Sequence, residues 1–243
     1  MTDTARQELI AALPYARRFA RALAGDQAQG DRLVASALKD LLAEGEVDLP
    51  ARLALYGKLV QEFSHKSASQ AGMTLTQRAL LLLTSLEEQS LASAARALSI
   101  SEEDAASELG IARQALQGIA QTSVLIIEDE PIIAMDIQDL VERCGHKIAG
   151  VAHTEADAVK LAAETKPGLI LADINLGGGG DGMHAVGRIL KTHETPVIFV
   201  TAYPERLLTG EAHEPSFVIT KPFEPLALAV ATYQAVTGGV EPV

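Results

Sequence analysis

Four short apolar runs in the second half of the chain each end in a residue able to do chemistry. Val124–Ile127 is followed by Glu128, Asp129 and Glu130; Leu169–Ala172 by Asp173 and then Asn175; Val197–Val200 by Thr201; Phe217–Thr220 by Lys221 and Pro222. Singly, each has an ordinary explanation. Asp129 suits a helix cap before Pro131, Asp173 a turn, Thr201 a cap, and Lys221 a solvated charge. Brought to one edge of a sheet they need a stronger reason, because carboxylates sharing a pocket raise each other's pKa and repel unless a cation compensates them. A lysine can do this, and so can Mg²⁺, which favours a few carboxylate and carbonyl oxygens together with phosphate oxygens and waters. The chemistry such a site suits is phosphoryl transfer to a carboxylate. Asp173 is placed for in-line attack, Lys221 and Mg²⁺ neutralise charge on the transferring group, and Thr201 offers a hydroxyl hydrogen bond.

Positioning these residues requires strands whose carboxyl ends face the same way. The β-branched runs, with a further one at Lys147–Val151, alternate with helical patterns at about 131–143, 154–165, 182–192, 204–209 and 224–236. That is a (βα)₅ order, which closes into a parallel sheet with helices on both faces and a reactive edge beyond the strand ends. The glycine run 177–180 beside Asp173 lacks the Gly-Lys-Ser/Thr ending of a nucleotide-binding loop, and is expected to be a flexible loop using positive φ.

The first half reads as helix throughout. Ala5–Leu23 carries Leu9, Leu13, Ala16, Phe19, Ala20 and Leu23 on one face; Gly25 breaks it and Asp26 caps a second helix to about Leu42. Pro50 opens a third through Phe63, and Ser64–Gly72 reads as a linker or helix end. From Thr76 come Ala79–Leu86, Leu91–Leu98, a turn at Ser99, and a stretch from Glu102 to about Ile119 with Ser101 and Asp104 as a capping box, a helix-turn-helix pattern.

Composition narrows the function. The chain has 243 residues, a net charge of −12 and 48% apolar residues, a balance expected of a globular protein with two ordinary domains. Residues 1–120 hold 12 basic and 15 acidic side chains, and residues 121–243 hold 8 and 17, so neither half suits non-specific binding to nucleic acid. No apolar run approaches the ~20 residues of a transmembrane helix, and no signal peptide is visible, which predicts a cytoplasmic protein. Cys144 is the single cysteine, which leaves no intrachain disulfide; no histidines pair at zinc-ligand spacing, so any metal should be oxygen-bound.

VLIIEDE, LADINLG, FVTAYP and ITKPF, at their separations here, resemble the motifs of response-regulator receiver domains from about Ser123 to Val236. The resemblance implies a doubly wound receiver of flavodoxin-like topology. It implies phosphorylation at Asp173, Mg²⁺ held by Glu128, Asp129, Asp173 and the Asn175 carbonyl, and phosphate sensing by Thr201 and Lys221. It also implies a cis Lys221–Pro222 bond and a sensor histidine kinase or phosphotransfer protein as donor. The aromatic switch position three residues before the lysine is Val218, and Tyr203 resembles the alternative switch of a receiver subfamily.

The segments LPYARRFARALAGDQAQGDRLVASALKDLL and LTQRALLLLTSLEEQSLASAARALSISEEDAASELGIARQAL resemble regions 2 and 4 of extracytoplasmic-function sigma factors. Together with a C-terminal receiver, this is the architecture of PhyR-type regulators of the bacterial general stress response. It divides the chain into a region 2-like all-α domain at 1–66, a linker at 67–75, a region 4-like helix-turn-helix at 76–120 and a receiver at 121–243. The expected recognition helix begins Ser101-Glu102-Glu103-Asp104, and residues 70–118 hold three arginines against six acidic residues, where DNA contacts need donors. The resemblance therefore implies mimicry: phosphorylation lets the sigma-like domain sequester a NepR-type anti-sigma factor, freeing the genuine sigma factor. Such a protein is not an enzyme beyond accepting the phosphoryl group and supporting its own dephosphorylation. The alternative is a regulator that binds DNA through the 76–119 helices. A third reading, an aspartyl-phosphate hydrolase, finds no second general acid in the sequence.

Overall fold

The computed structural model describes residues 3–44, 48–64, 73–116, 121–177, 180–202 and 217–237. Tyr203 and the helix expected at 204–209 lie outside the described residues, as do 65–72 of the expected linker. The chain separates into two compact units, one built on residues 1–118 and the other on 119–204 and 217–236.

The first unit is helical: α1 (Asp3–Ala24), α2 (Gln27–Glu44), α3 (Ala51–Ser64), α4 (Leu75–Ser85), α5 (Leu91–Leu98) and α6 (Glu102–Leu116). Gly25 leaves α1 at φ 71°, and Asp26 Oδ1 accepts from the Gln29 amide at 2.7 Å to start α2. Pro14 stays inside α1 without ending it. The apolar face of α1 buries Leu9, Ala16, Phe19, Ala20 and Leu23, while Leu80 to Leu83 in α4 are buried on every side. A full capping box, Thr74 with Gln77, begins α4. The box expected at Ser101 and Asp104 forms differently: the Asp104 amide donates to Ser101 Oγ, and the Ser101 hydroxyl donates to Asp104 Oδ2.

A buried polar cluster ties this unit together. Glu87, 1% exposed, follows α4 and accepts from Arg18 Nε and Nη2 at 2.7 and 2.9 Å, from the Tyr56 hydroxyl at 2.6 Å and from Arg52 Nη2 at 3.1 Å. One carboxylate thus joins α1, α3 and the α4–α5 turn. Burial beside Glu87 lifts the Tyr56 phenol far above its ordinary range, so the hydroxyl stays a donor.

The second unit alternates strand and helix: β1 (Ser123–Ile127), α7 (Pro131–Arg143), β2 (Lys147–Ala152), α8 (Glu155–Thr165), β3 (Leu169–Ala172), β4 (Asn175–Leu176), β5 (Gly180–Asp181), α9 (Gly182–Ile189), β6 (Val197–Thr201), β7 (Phe217–Thr220) and α10 (Pro225–Thr237). Five parallel strands run in the order β2-β1-β3-β6-β7, the doubly wound order expected. Apart from Ser123 and Thr201 at their ends, the central strands β1, β3 and β6 are apolar, as strands covered on both faces must be. Chain order reverses beside β1, and there the carboxyl ends of β1 and β3 leave a crevice.

Candidate phosphoacceptor site

Register decides what meets in this crevice. Ile127 pairs with Ala172, Ala172 with Phe199, and Thr201 with Thr220, so Glu128 and Asp173 emerge at one level and Lys221 leaves its strand about two residues farther along. The Asp173 amide donates to Ile127 O at 2.8 Å and the Lys221 amide to Thr201 O at 2.8 Å, fixing both backbones before their side chains leave the sheet. Lys221 Nζ then lies 2.6 Å from Glu128 Oε2 and 2.8 Å from Asp173 Oδ2. Glu128, Asp129 and Asp173 each bring one carboxylate oxygen to within 4.8 Å of the others. The expected cis Lys221–Pro222 bond is present.

The ordinary explanations now separate from the chemical one. The N-cap of α7 is Glu130, which makes no side-chain capping bond, so capping does not consume Asp129. Lys221 is no solvated charge: its side chain is 14% exposed and bonded to two carboxylates. Asp173 does serve its turn in part, since Oδ1 accepts from the Ile174 amide at 2.6 Å. Its other oxygen meets the lysine.

Electrostatics follow from depth. Glu128 is fully buried, and burial pushes its pKa above the usual carboxylate range; the Lys221 hydrogen bond and charge oppose that shift, and the Asp173 charge adds to it. Desolvation, more than repulsion between the acids, is therefore the leading cost. Burial lowers the Lys221 pKa, but its hydrogen bonds to Asp173 and Glu128 outweigh this and the ammonium ends above its ordinary value. Three convergent carboxylate oxygens are the donor set a hard divalent cation prefers.

The cleft over these groups has a volume of about 880 Å³, and Asp129, Asp173, Asn175, Gly177, Ala202 and Lys221 are among its lining residues. Thr201 is fully buried, and the residue that lines the cleft at its strand end is Ala202. Asn175 is exposed on β4, with its amide 3.4 Å from Asp173 Oδ1.

Gly178 and Gly179 of the glycine run lie outside the described residues; the residues on either side form a short ladder. Asn175 and Leu176 pair antiparallel with Asp181 and Gly180, and none of Gly177, Gly180 and Gly182 has positive φ. Glycine serves close approach instead: a Cβ on Gly182 would stand 1.7 Å from Asp173 O, and one on Gly177 2.6 Å from Asp129 Oδ2. Three further contacts escaped the sequence reading. His153 Nδ1 meets Glu128 O at 2.7 Å, and Glu155 reaches Asp181 and His184 across α8 and α9. Their polar residues follow or open ordinary elements, so nothing in spacing alone marks them.

In the helical unit, Glu102, Glu103 and Asp104 are all exposed at the start of α6. An anionic first turn suits the helix dipole and opposes phosphate contact.

Comparison with known proteins places both units. Residues 124–232 match the response regulator receiver domain, and residues 9–59 match the Sigma2 domain of PhyR. The chain is 42% identical over 249 residues to the phyllosphere-induced regulator PhyR of Methylorubrum extorquens, covering 94% of this chain and 93% of the relative. The chain belongs to the PhyR family. Two crystal structures of the PhyR family are similar throughout. PhyR from Brucella abortus has a TM-score of 0.87 at 39% identity, covering 98% of this chain and 96% of that one. The anti-anti-sigma factor PhyR from Bartonella quintana has a TM-score of 0.88 at 36% identity, covering 97% and 96%. As expected of PhyR-family regulators, the sigma-like helices precede the receiver in the chain.

Proposed function

We propose that this protein is a phosphorylation-gated anti-anti-sigma factor, with Asp173 as phosphoacceptor and the helical unit as a sigma mimic that sequesters a NepR-type anti-sigma factor. The observation that carries the receiver half is the Asp173 carboxylate, held 2.8 Å from a shielded lysine beside two further acids. The sigma-like half draws support from the Bartonella quintana relative, described as an anti-anti-sigma factor, and from the acidic start of α6. The domain assignment is a region 2-like domain at 1–66, a joining segment at 67–75, a region 4-like domain at 76–120 and a receiver at 121–243.

Glu128, Asp129, Asp173 and the Asn175 carbonyl would hold Mg²⁺, which when bound supplies charge neutralisation for the entering phosphoryl group. The work of the chain's own residues is positional. Asp173 presents one oxygen as nucleophile while Ile174 fixes the other. Lys221 leaves Glu128 and Asp173 partly for the new phosphoryl oxygens, and Thr201, with Tyr203 beyond it, senses them. The phosphoryl donor is a sensor histidine kinase or a phosphotransfer protein. No helix among the described residues is long and apolar enough to cross a membrane.

The test is capture of a purified NepR-type protein with and without a small acyl-phosphate donor and Mg²⁺. The donor should strengthen capture by the wild type, and Asp173→Ala should abolish both acid-labile labelling and the gain. Stoichiometric labelling of Asp173→Ala would remove Asp173 as the nucleophile, and equal capture with and without donor would remove the gate.

A further inference from the structure

The Asp173 loop is held from behind by a side chain outside the phosphoacceptor cluster. The short β4–β5 ladder brings Asp181 opposite Asn175, and successive amides of its second strand point opposite ways, as strand geometry requires. The Gly182 amide turns inward and donates to Ile174 O at 2.7 Å. The Asp181 amide turns outward. An outward amide on a two-residue edge strand would ordinarily be left to water; here it donates to Glu155 Oε1, 2.9 Å away in the first turn of α8. The other oxygen of the same carboxylate meets His184 Nδ1 at 2.9 Å, and Asp181 Oδ1 accepts from the amides of Met183 and His184. Glu155, Asp181 and His184 therefore close a ring across α8, β5 and α9.

What the ring holds matters for the reaction. Its inner side is β4, which carries Asn175, and next to it Gly177, whose backbone lies against Asp129. Any outward movement of β5 carries Asn175 away from Asp173 and Gly177 away from Asp129. Glu155 is 24% exposed and anchored at two points, unlike a free surface charge. Its pKa lies below the usual carboxylate range, first because it accepts the Asp181 amide and then because of His184. The ionised form is thus the anchoring form.

We infer that Glu155 is a positioning residue for phosphoryl acceptance: by bonding the Asp181 amide it sets the β4–β5 hairpin, and with it the Asn175 carbonyl and Gly177, against the cation-binding acids. This rests on the reading of Asp173 as phosphoacceptor. An effect of this kind falls on cation binding more than on the nucleophile, because Lys221 and the Asp173 backbone bonds come from the sheet and are untouched.

The experiment measures Asp173 labelling by a small acyl phosphate across a Mg²⁺ titration, using the full-length chain. Glu155→Ala should raise the Mg²⁺ concentration for half-maximal labelling by up to about 10- to 150-fold, the equivalent of losing one hydrogen bond to a charged group, with the maximal rate at saturating Mg²⁺ within about two-fold. Glu155→Gln keeps a neutral acceptor for the Asp181 amide and should recover part of the loss. His184→Ala removes one contact of two and should fall between. Thermal unfolding of each variant checks that the receiver remains folded. An unchanged half-saturation in a folded Glu155→Ala, or an equal loss in Glu155→Gln and Glu155→Ala, would overturn the inference. Failure of the wild type to label at all would instead remove the phosphoacceptor reading on which it rests.

Discussion

The Lys221 ammonium has two tasks that the geometry makes inseparable. It shields Asp173, and it is the charge that opposes the desolvation of fully buried Glu128. Replacing it with alanine should raise the Glu128 pKa further and slow labelling by about 10- to 150-fold, the cost of losing a charge-assisted hydrogen bond of about 1.5–3 kcal/mol. Labelling should persist while the gain in anti-sigma capture disappears; parallel measurement of labelled fraction and capture tests this. A second residue sets a pH limit. His146 is buried, its pKa lowered by burial, and its Nδ1 accepts from the Thr122 amide at 3.3 Å. The folded ring therefore resists protonation more than the unfolded one. Its contribution is fully present above the unfolded pKa of about 6.5 and is lost as pH falls through the lower folded value. The urea midpoint of the receiver should decline between pH 7.5 and 5.5, and His146→Gln should flatten that decline.

Among elements, the helices of the sigma-like unit depend on one carboxylate more than their apolar faces suggest. Glu87 accepts from Arg18, Arg52 and Tyr56, and Arg52 also stacks on Tyr15 with its guanidinium carbon 3.9 Å from the ring centroid. Replacing Glu87 with alanine would take from the Arg18 guanidinium, 6% exposed in its side chain, the carboxylate that accepts two of its hydrogen bonds. Removing one partner of such a buried pair costs about 3–5 kcal/mol. Calorimetry should show the helical unit unfolding at a markedly lower temperature in Glu87→Ala, with the receiver transition unchanged. Equal thermograms would mean that Arg18 finds another acceptor, of which the Leu86 carbonyl at 3.0 Å is the nearest example. At the same scale, α6 has the helix-turn-helix position of a DNA reader and the surface of something else. Arg96 and Arg113 are exposed, but Glu102, Glu103 and Asp104 occupy the leading turn.

At the scale of the whole molecule, that surface predicts no promoter recognition. Specific sites are bound at about 10 nM or tighter, so full-length protein, with or without phosphodonor, should show no specific, salt-sensitive retardation of a promoter fragment at about 1 μM. Sequence-specific retardation would replace mimicry with direct DNA binding. Two compact units in one chain also bear on the gate. Moving a closed-to-open ratio from 99:1 to 1:99 needs about 5.5 kcal/mol of differential stabilisation, more than a single charge-assisted hydrogen bond to the phosphoryl group provides. Phosphorylation and the anti-sigma partner must then share the shift, and by linkage the partner should favour the phosphorylated state.

The sequence by itself determined the order of the main strands and helices and which polar side chains gather at one edge of the sheet. Parallel strands deliver their next residue to one edge, so Glu128, Asp129, Asp173 and Lys221 were legible from their places after apolar runs, and the N-terminal helices from their 3.6-residue spacing. Tertiary structure decided what spacing cannot encode. It showed that Thr201 is buried while Ala202 lines the cleft, and that Gly182 is needed for a close approach to the Asp173 carbonyl and not for positive φ. It also showed that Glu87 joins two helices to the α4–α5 turn and that Glu155 clasps Asp181 from 26 residues away. Periodicity reports which face of an element is buried. A hydrogen bond between residues distant in the chain depends on where two faces meet, and only the packed fold sets that.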